Sequence, residues 1–132
     1  MASQLFADLY GCDEKILDSE EAICNVARRV ISEIGAGIVE ECVHSFDPIG
    51  VTYFAVITTS HFSIHTWPEY GYAAVDVFSC GEEVTDTITG LLKEAFGASD
   101  ILVRKCDRTI GRRPDVDMCI RKEIQDAGIQ KG

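Results

Sequence analysis

The sequence predicts an α+β fold, a two-layer sandwich in which an antiparallel β-sheet carries its helices on one face. Segments rich in β-branched and aromatic residues recur along the chain, which is typical of strands. Two stretches with apolar residues at helical spacing separate them, in the order strand, helix, strands, helix, strand. At 132 residues the chain is long enough for one domain, and we expect residues 1–132 to form it.

The first predicted elements are a strand and a long helix. Residues 3–10 alternate well enough for a strand, and the sequence GCDEK closes it with a turn. The helix that follows can be capped by Asp18 or Ser19, and Gly35 or Gly37 ends it. Its apolar positions repeat at helical spacing: Ile23, Val26, Ala27, Val30, Ile31 and Ile34.

The middle of the chain is predicted to be all strand and turn. Residues 37–46 form the second strand, and DPIG turns the chain out of it. Residues 51–67 are too β-branched and aromatic for a helix and too long for one straight strand. We therefore expect a bend or break near Thr58–His61. The turn PEYGY and the strand AAVDVFSCG complete this part.

The C-terminal part is predicted to hold a second amphipathic helix, EEVTDTITGLLKEAFG, and a last strand, DILVRKCDRT. The apolar stripe of this helix consists of Val84, Ile88, Leu91, Leu92 and Ala95. Residues 110–132 form a polar tail, with a short helix from about 116 to 126.

Composition and charge exclude several classes of partner. The formal net charge of −10 repels phosphate backbones and anionic lipid, so we expect no nucleic-acid partner, whereas a cationic small substrate is favoured. The N-terminus lacks a signal-peptide pattern, and no apolar run approaches the roughly 20 residues that cross a bilayer. We therefore expect a soluble, cytoplasmic protein with no membrane partner. The six cysteines, without any CxxC pair, are expected to be reduced thiols and not zinc ligands.

The reactive side chains concentrate in the stretch ITTSHFSIHTWPEYGYAAVDVFSCG, which holds Ser60, His61, His65 and Cys80. In an extended strand, His61 and His65 share one face while Ser60 lies on the other. Ser60 and His65 can therefore meet only if the chain turns sharply after Ser60. A catalytic role for this pair requires a break in the strand.

Two simpler interpretations of this stretch are weak. A serine hydrolase lacks its GxSxG elbow here, and the adjacent Ser60 and His61 point to opposite faces of a strand. A metal site from His61, His65 and Glu69 would have mixed spacing and only two imidazoles, so the signal for a metal is also weak.

The string TTSHFSIHTWPEYGYAAVDVFSCG closely resembles the core of the bacterial and archaeal S-adenosylmethionine decarboxylases of the small pyruvoyl-dependent class. The segments LFADLYGCD and HSFDPIGVT and the overall length are similar to that family as well. The resemblance covers approximately residues 3–107. It implies decarboxylation of S-adenosylmethionine, which supplies aminopropyl groups for spermidine.

The resemblance also implies a proenzyme that cuts itself between Thr59 and Ser60. In this chemistry the serine hydroxyl attacks the preceding carbonyl, and the ester that forms is eliminated. Residue 60 is then left as a pyruvoyl group, the expected covalent cofactor, and ammonia is released. The products would be a β chain of residues 1–59 and an α chain of residues 60–132.

Three further roles follow from position in the family. His65 matches the proton acceptor in processing, and Thr52, where relatives often have serine, is a candidate to stabilise the intermediate. Cys80 matches the proton donor in decarboxylation, and a thiol is a suitable acid near neutral pH. The pyruvoyl ketone would bind the substrate amine as a Schiff base and draw electrons from the carbon that loses CO₂.

The resemblance assigns substrate binding to two aromatic residues and one acid. Phe46 and Trp67 would sandwich the adenine, and Glu69 would accept hydrogen bonds from the ribose hydroxyls. Adenine and the sulfonium both favour aromatic faces. The family also implies a homodimer with its sites between subunits.

The chain departs from the family pattern at several places. Thr59 stands where many relatives have glutamate, and Gln4 stands where they commonly have histidine. The tail after Thr109 does not resemble the family pattern. Cleavage needs the carbonyl of residue 59 more than its side chain, so we still expect it to occur.

Two alternatives remain open. One is a pyruvoyl-dependent arginine or ornithine decarboxylase of the same family, against which the nucleoside-binding set of Phe46, Trp67 and Glu69 argues. The other is an unprocessed, non-catalytic homologue, which the intact Ser60 and Cys80 disfavour.

Overall fold

The computed structural model describes residues 2–79, 86–108 and 111, and its sheet confirms the predicted α+β class. The strands are β1 (Ala2–Tyr10), β2 (Ile38–Ser45), β3 (Val51–Ile57), β4 (Ser60–Trp67), β5 (Tyr72–Ser79) and β6 (Asp100–Arg108). The helices are α1 (Glu14–Leu17), α2 (Glu20–Glu33) and α3 (Asp86–Ala95), and a 3₁₀ turn, Pro68–Tyr70, joins β4 to β5. The strands form one antiparallel sheet in the order β2-β3-β4-β5-β1-β6.

Alternation along the strands divides the sheet into two unlike faces. In β3 the side chains of Val51, Tyr53 and Ala55 are buried, while those of Phe54 and Val56 are exposed on the other face. The buried set packs beneath the helices. Burying each large apolar side chain contributes about 1.5–3 kcal/mol, so this face specifies the register.

The helix α2 covers the core as predicted. Ser19, rather than Asp18, is its N-cap, and its hydroxyl accepts a hydrogen bond from the backbone nitrogen of Ala22. The stripe predicted from helical spacing is buried throughout. The helix ends just before Gly35, which has a φ of +74° that few other residues tolerate.

Of the other helices, α1 was not predicted, whereas α3 lies within the predicted second helix. The sequence GCDEK was expected to be only a turn, but residues Glu14–Leu17 form the short helix α1, capped by Asp13 and anchored by the fully buried Leu17. The helix α3 is described from Asp86 onward, so Val84 and the predicted helix near 116–126 lie outside the described residues. In the described part of the chain, the helices are too short or too polar to cross a bilayer.

The second face of the sheet is covered by none of the described helices, and we call it the open face. It exposes several large apolar side chains: Phe6, Phe54, Val56 and Leu102. His61 and His65 lie on it, as strand alternation predicted. Any chemistry that uses these histidines therefore takes place on the open face.

The predicted break near Thr58–His61 is confirmed as a two-residue turn, Thr58–Thr59, between β3 and β4. Thr58 fixes this turn to the chain after α2, because its nitrogen donates to the Gly37 carbonyl and its Oγ1 accepts from the Gly37 nitrogen, each at 2.9 Å. The turn precedes Ser60 rather than following it. Ser60 and His65 therefore stay on one strand and are not brought together within the chain.

Candidate active site

A cavity of about 320 Å³ opens where β4 ends and the 3₁₀ turn begins. Its lining includes most of the side chains that the resemblance assigned to binding and processing: Phe46, Thr52, His65, Trp67 and Glu69. The other described lining residues, Ile49, Gly50 and Thr66, were not identified from the sequence. The sheet thus gathers residues from β3, β4 and two loops at one end of the open face.

Two aromatic side chains form walls of this cavity while keeping ring surface exposed. Phe46 is 51% exposed and lies edge-on to His44, with ring centroids 4.6 Å apart. Trp67 is 40% exposed and is supported by Tyr72, at 5.4 Å between centroids. Supported but exposed aromatic faces suit a flat heterocycle or a cation, and the carboxylate of Glu69 adds an acceptor for hydroxyl groups.

His65 and Thr52 form a preorganised pair on neighbouring strands. They are directly opposite each other in the β3–β4 register, and Thr52 Oγ1 lies 2.9 Å from His65 Nδ1. Because Nδ1 is hydrogen-bonded to Thr52, Nε2 is the ring nitrogen that is available for proton transfer. For Nε2 to accept a proton, Nδ1 must carry the hydrogen and donate it to Thr52. The pair can therefore act as an oriented general base.

Thr66 fastens the floor of the cavity to the helical layer. Its hydroxyl is buried, accepts from the Val51 nitrogen at 2.8 Å and donates to the Leu17 carbonyl at 2.7 Å. The sequence contained a signal for Thr66. It is a threonine at a buried position of an otherwise apolar face of β4, between the predicted site residues His65 and Trp67. A buried hydroxyl needs such partners, since leaving it unpaired costs about 1–3 kcal/mol.

Asp76 is a second residue that the sequence analysis missed. It lies on the open face of β5, opposite Ser63 of β4 and between the positions of His61 and His65. Burial raises the pKa of the Asp76 carboxyl above its ordinary value, whereas the two nearby imidazoles act in the opposite direction. Its sequence signal was an acid within an apolar strand. The carboxylate can balance positive charge that develops on either histidine.

Ser60 lies at the far end of β4 and does not line the cavity. Five residues of extended strand separate it from His65, a distance of about 16 Å. Its φ is +147°, the one positive value among the described non-glycine residues. The neighbouring Thr59 has a buried Oγ1 without a hydrogen-bond partner in the described part of the chain. The positive φ of Ser60 and the unpaired hydroxyl of Thr59 both destabilise the folded chain, and these two residues flank the same peptide bond.

Cys80 lies outside the described residues, so its place in the site stays a prediction. Ser79, the residue before it, pairs in register with Ser60. Among residues 2–79, 86–108 and 111, no three His, Cys, Asp or Glu side chains come close enough to hold a metal ion. The combination of His61, His65 and Glu69 therefore does not form a metal centre.

Comparison with known proteins identifies the family. Residues 3–109 match the family described as S-adenosylmethionine decarboxylase. The S-adenosylmethionine decarboxylase proenzyme of Caldicellulosiruptor saccharolyticus is 46% identical over 115 residues, which cover 86% of this chain and 93% of that protein. The proenzyme of the same name from Moorella thermoacetica is 40% identical over 115 residues, covering 86% and 92%.

A solved structure agrees with these matches. The crystal structure of the adenosylmethionine decarboxylase from Aquifex aeolicus aligns with a TM-score of 0.76 and 28% identity, over 87% of this chain and 96% of that one. The architecture and the sequence therefore lead to the same assignment. The chain belongs to the S-adenosylmethionine decarboxylase family.

Proposed function

We propose that this chain is a proenzyme that cleaves itself between Thr59 and Ser60 and then decarboxylates S-adenosylmethionine for polyamine synthesis. The observation that carries the proposal is the cavity that brings Phe46, Trp67 and Glu69 together. Relatives that share 40–46% of their residues with this chain are named S-adenosylmethionine decarboxylase proenzymes.

The cavity suits a sulfonium nucleoside better than a simple amino acid. Its volume of about 320 Å³ is at the lower end of the range typical of small-molecule sites. The two exposed rings, Phe46 and Trp67, can enclose an adenine, and the Glu69 carboxylate can accept hydrogen bonds from a ribose. Arginine and ornithine have neither a flat purine nor sugar hydroxyls, so they would leave these groups unused. The net charge of −10 favours a cationic substrate.

The backbone at Ser60 supports cleavage at this bond. Its φ of +147° is a strained conformation for a residue with a side chain and costs about 1–3 kcal/mol. That torsion turns about the bond between the nitrogen and Cα of residue 60. Cleavage removes this nitrogen as ammonia, so the strained torsion no longer exists in the product. The buried hydroxyl of Thr59 is likewise freed when its carboxyl becomes a chain end.

A pyruvoyl group derived from Ser60 fits this position. The residue supplies the hydroxyl that the conversion needs, and it begins a strand directly after a turn, where a new chain end can be accommodated. A ketone at this position would supply an electron sink for the carbon that loses CO₂. The protein's own contribution is to position the substrate and to transfer protons.

The separation within the chain implies that two subunits share each site. His65 lies about 16 Å from its own Ser60, too far for proton transfer. A twofold axis that runs parallel to the sheet above the open face, at right angles to β4 and level with Ser63, would bring the Ser60 end of one subunit over the His65 end of the other. We therefore propose that His65 and Thr52 of one subunit act on Ser60 of its partner.

The open face is the surface that we assign to this second copy. It carries both histidines and is rich in exposed apolar side chains: Phe6, Phe54, Val56 and Leu102. Covering such side chains would contribute about 25 cal/mol for each Å² of apolar surface buried, and this gain offsets the entropy lost on association. Thr52 and His65 line the cavity from this face, so a second sheet would also shield the substrate from water.

Proton donation after loss of CO₂ is assigned to Cys80. This residue follows Ser79 in the sequence, and Ser79 pairs in register with Ser60, which supports the assignment. We place the protein in the cytoplasm, where thiols stay reduced. Four cysteines of the described residues are free, which supports this placement: Cys12, Cys24, Cys42 and Cys106.

The deciding experiment is intact mass of the purified protein. We expect two chains, residues 1–59 and 60–132, with the longer chain lacking its free amine and carrying a ketone. Ser60→Ala should give a single chain, because it has no hydroxyl to attack the Thr59 carbonyl. A wild-type protein that stays whole would exclude the proposal and favour the non-catalytic alternative. If the wild type splits, CO₂ release from S-adenosylmethionine, arginine and ornithine identifies the substrate.

The strain at Ser60 gives a separate prediction about stability. Ser60→Gly and Ser60→Ala both prevent cleavage, so the two precursors can be compared by urea unfolding. Glycine accepts a φ of +147°, and we expect its variant to be more stable than the alanine variant by about 1 kcal/mol. In an ordinary strand the order is reversed, with glycine less stable by about 0.5–1 kcal/mol. The ordinary order would mean that the precursor is not strained here.

A further inference from the structure

The loop between β2 and β3, residues 46–50, forms one wall of the cavity through Phe46, Ile49 and Gly50. A hydrogen bond from the Phe46 nitrogen to the Gly50 carbonyl, at 2.8 Å, closes the loop on itself. The Gly50 nitrogen donates outside the loop, to Asp18 Oδ1 at 3.0 Å. This contact links the aromatic wall to a residue far away in the sequence.

At residue 50 the loop cannot be anchored through a side chain. Gly50 has a φ of +108°, and a Cβ there would lie 3.3 Å from the Thr66 carbonyl oxygen. A side chain at residue 50 would therefore be both strained and crowded. Gly50 can therefore be anchored through its backbone N–H group, and the Asp18 carboxylate accepts this hydrogen bond.

Asp18 is itself held in place at the end of α1. Its backbone nitrogen donates to the Glu14 carbonyl at 3.1 Å, and the preceding residue, Leu17, is fully buried. The Leu17 carbonyl accepts from the Thr66 hydroxyl at 2.7 Å. Two successive residues, Leu17 as the last of α1 and Asp18 as its C-cap, thus fasten two sides of the cavity: Leu17 the β4 side and Asp18 the loop side. The helix α1 also packs against the 3₁₀ turn that carries Glu69.

We propose that Asp18 is a positioning residue of the substrate cavity: its carboxylate sets where Phe46 stands opposite Trp67. The inference rests on the proposed function, in which these two rings enclose the adenine. Asp18 is not among the described residues that line the cavity, so it acts through the loop and not by touching the substrate. A hydrogen bond to a charged group is stronger than a neutral one, and a displaced wall loses its fit to a flat ligand.

The test uses binding, which does not depend on self-cleavage. Trp67 is the single tryptophan of the chain, so its fluorescence reports a ligand stacked in the cavity. The uncleaved Ser60→Ala protein is titrated with S-adenosylmethionine, and the titration is repeated after adding Asp18→Ala. Loss of a hydrogen bond to a charged group predicts a Kd that is higher by about tenfold.

Two conservative variants separate position from charge. Asp18→Asn keeps an oxygen that can accept from the Gly50 nitrogen, and we expect its Kd to stay within about threefold of the parent. Asp18→Glu keeps the charge but moves the oxygen by one methylene group, so binding should weaken. This variant also serves if Asp18→Ala does not fold. An Asn variant as weak as the Ala variant would overturn the inference.

Asp13→Ala is the matched control, because Asp13 caps the start of the same helix and accepts from the Lys15 nitrogen at 2.9 Å. It should lower the Tm and leave the Kd unchanged. If Asp18→Ala behaves in the same way, Asp18 is only a structural residue and the inference fails while the proposed function stands. A parent protein whose Trp67 fluorescence does not respond to S-adenosylmethionine would reject the cavity assignment itself, and this inference with it.

Discussion

Co-expression of Ser60→Ala and His65→Ala chains is expected to restore a cleavage that neither chain shows alone. Each His65→Ala chain keeps an intact Ser60, and a Ser60→Ala partner supplies the missing imidazole. The physical reason is the distance of about 16 Å between the two residues along one strand, which prevents direct proton transfer within a subunit. Loss of a general base slows a reaction by about 10²–10⁴-fold, so His65→Ala alone should remain whole for hours after the wild type has split.

The measurement is intact mass of differently tagged chains purified together. Only the His65→Ala chain should be cut, and only in the fraction of dimers that are mixed. The control replaces the Ser60→Ala chain by one that carries both Ser60→Ala and His65→Ala; it should restore nothing. If the mixture stays uncut while the wild type splits, His65 acts on the serine of its own chain. If His65→Ala splits without help, this residue is not the base.

Removing either aromatic wall should weaken substrate binding without affecting self-cleavage. We expect Trp67→Ala and Phe46→Ala each to raise the KM for S-adenosylmethionine by about 10–100-fold, since stacking of a base on an aromatic ring contributes about 1–3 kcal/mol. The effect on kcat should be smaller, because in the proposed complex the rings contact the adenine and not the carbon that loses CO₂. Steady-state CO₂ release measures both constants, and intact mass checks that processing is complete.

Tyr70→Ala is the matched control for this prediction. Tyr70 follows Glu69 in the 3₁₀ turn, is 77% exposed and is not among the described residues that line the cavity. Its removal should leave the KM unchanged. An unchanged KM in Trp67→Ala would show that the adenine does not bind between these rings. Turnover of arginine or ornithine in place of S-adenosylmethionine would support the alternative substrate instead.

Local patterns predicted most of the sheet and the long helix because the relevant signals span only a few residues. The stripe from Ile23 to Ile34 repeats at helical spacing, and the strands alternate between buried and exposed side chains. The short helix α1 was not predicted, because four residues are too few to show a helical repeat. This helix matters because the Leu17 carbonyl and the Asp18 carboxylate accept hydrogen bonds from Thr66 and Gly50 of the cavity. These contacts are visible only in the folded chain.

The reactive and aromatic members of the candidate site were predictable from the sequence, but Thr66, Asp76 and the arrangement of the site were not. The string around Ser60 and His65 indicated the family and the identities of the reactive residues, and the family assignment is confirmed. Which of these residues meet depends on where the chain turns. The turn at Thr58–Thr59 places Ser60 at one end of β4 and the cavity at the other. A turn two or three residues later would have produced a different site from the same side chains.

Three features could be predicted without the fold, because each depends on neighbours within a few positions: the alternation of the strands, the buried face of α2 and the chemical groups available. The folded chain was needed to show that the loop carrying Phe46 meets Trp67 and that Asp18 and Thr66 fasten this cavity. It was also needed to show that Ser60 lies out of reach of its own His65. These contacts join residues far apart in the chain, and their geometry is set by the register of β3 on β4 and by the packing of α1 beneath them.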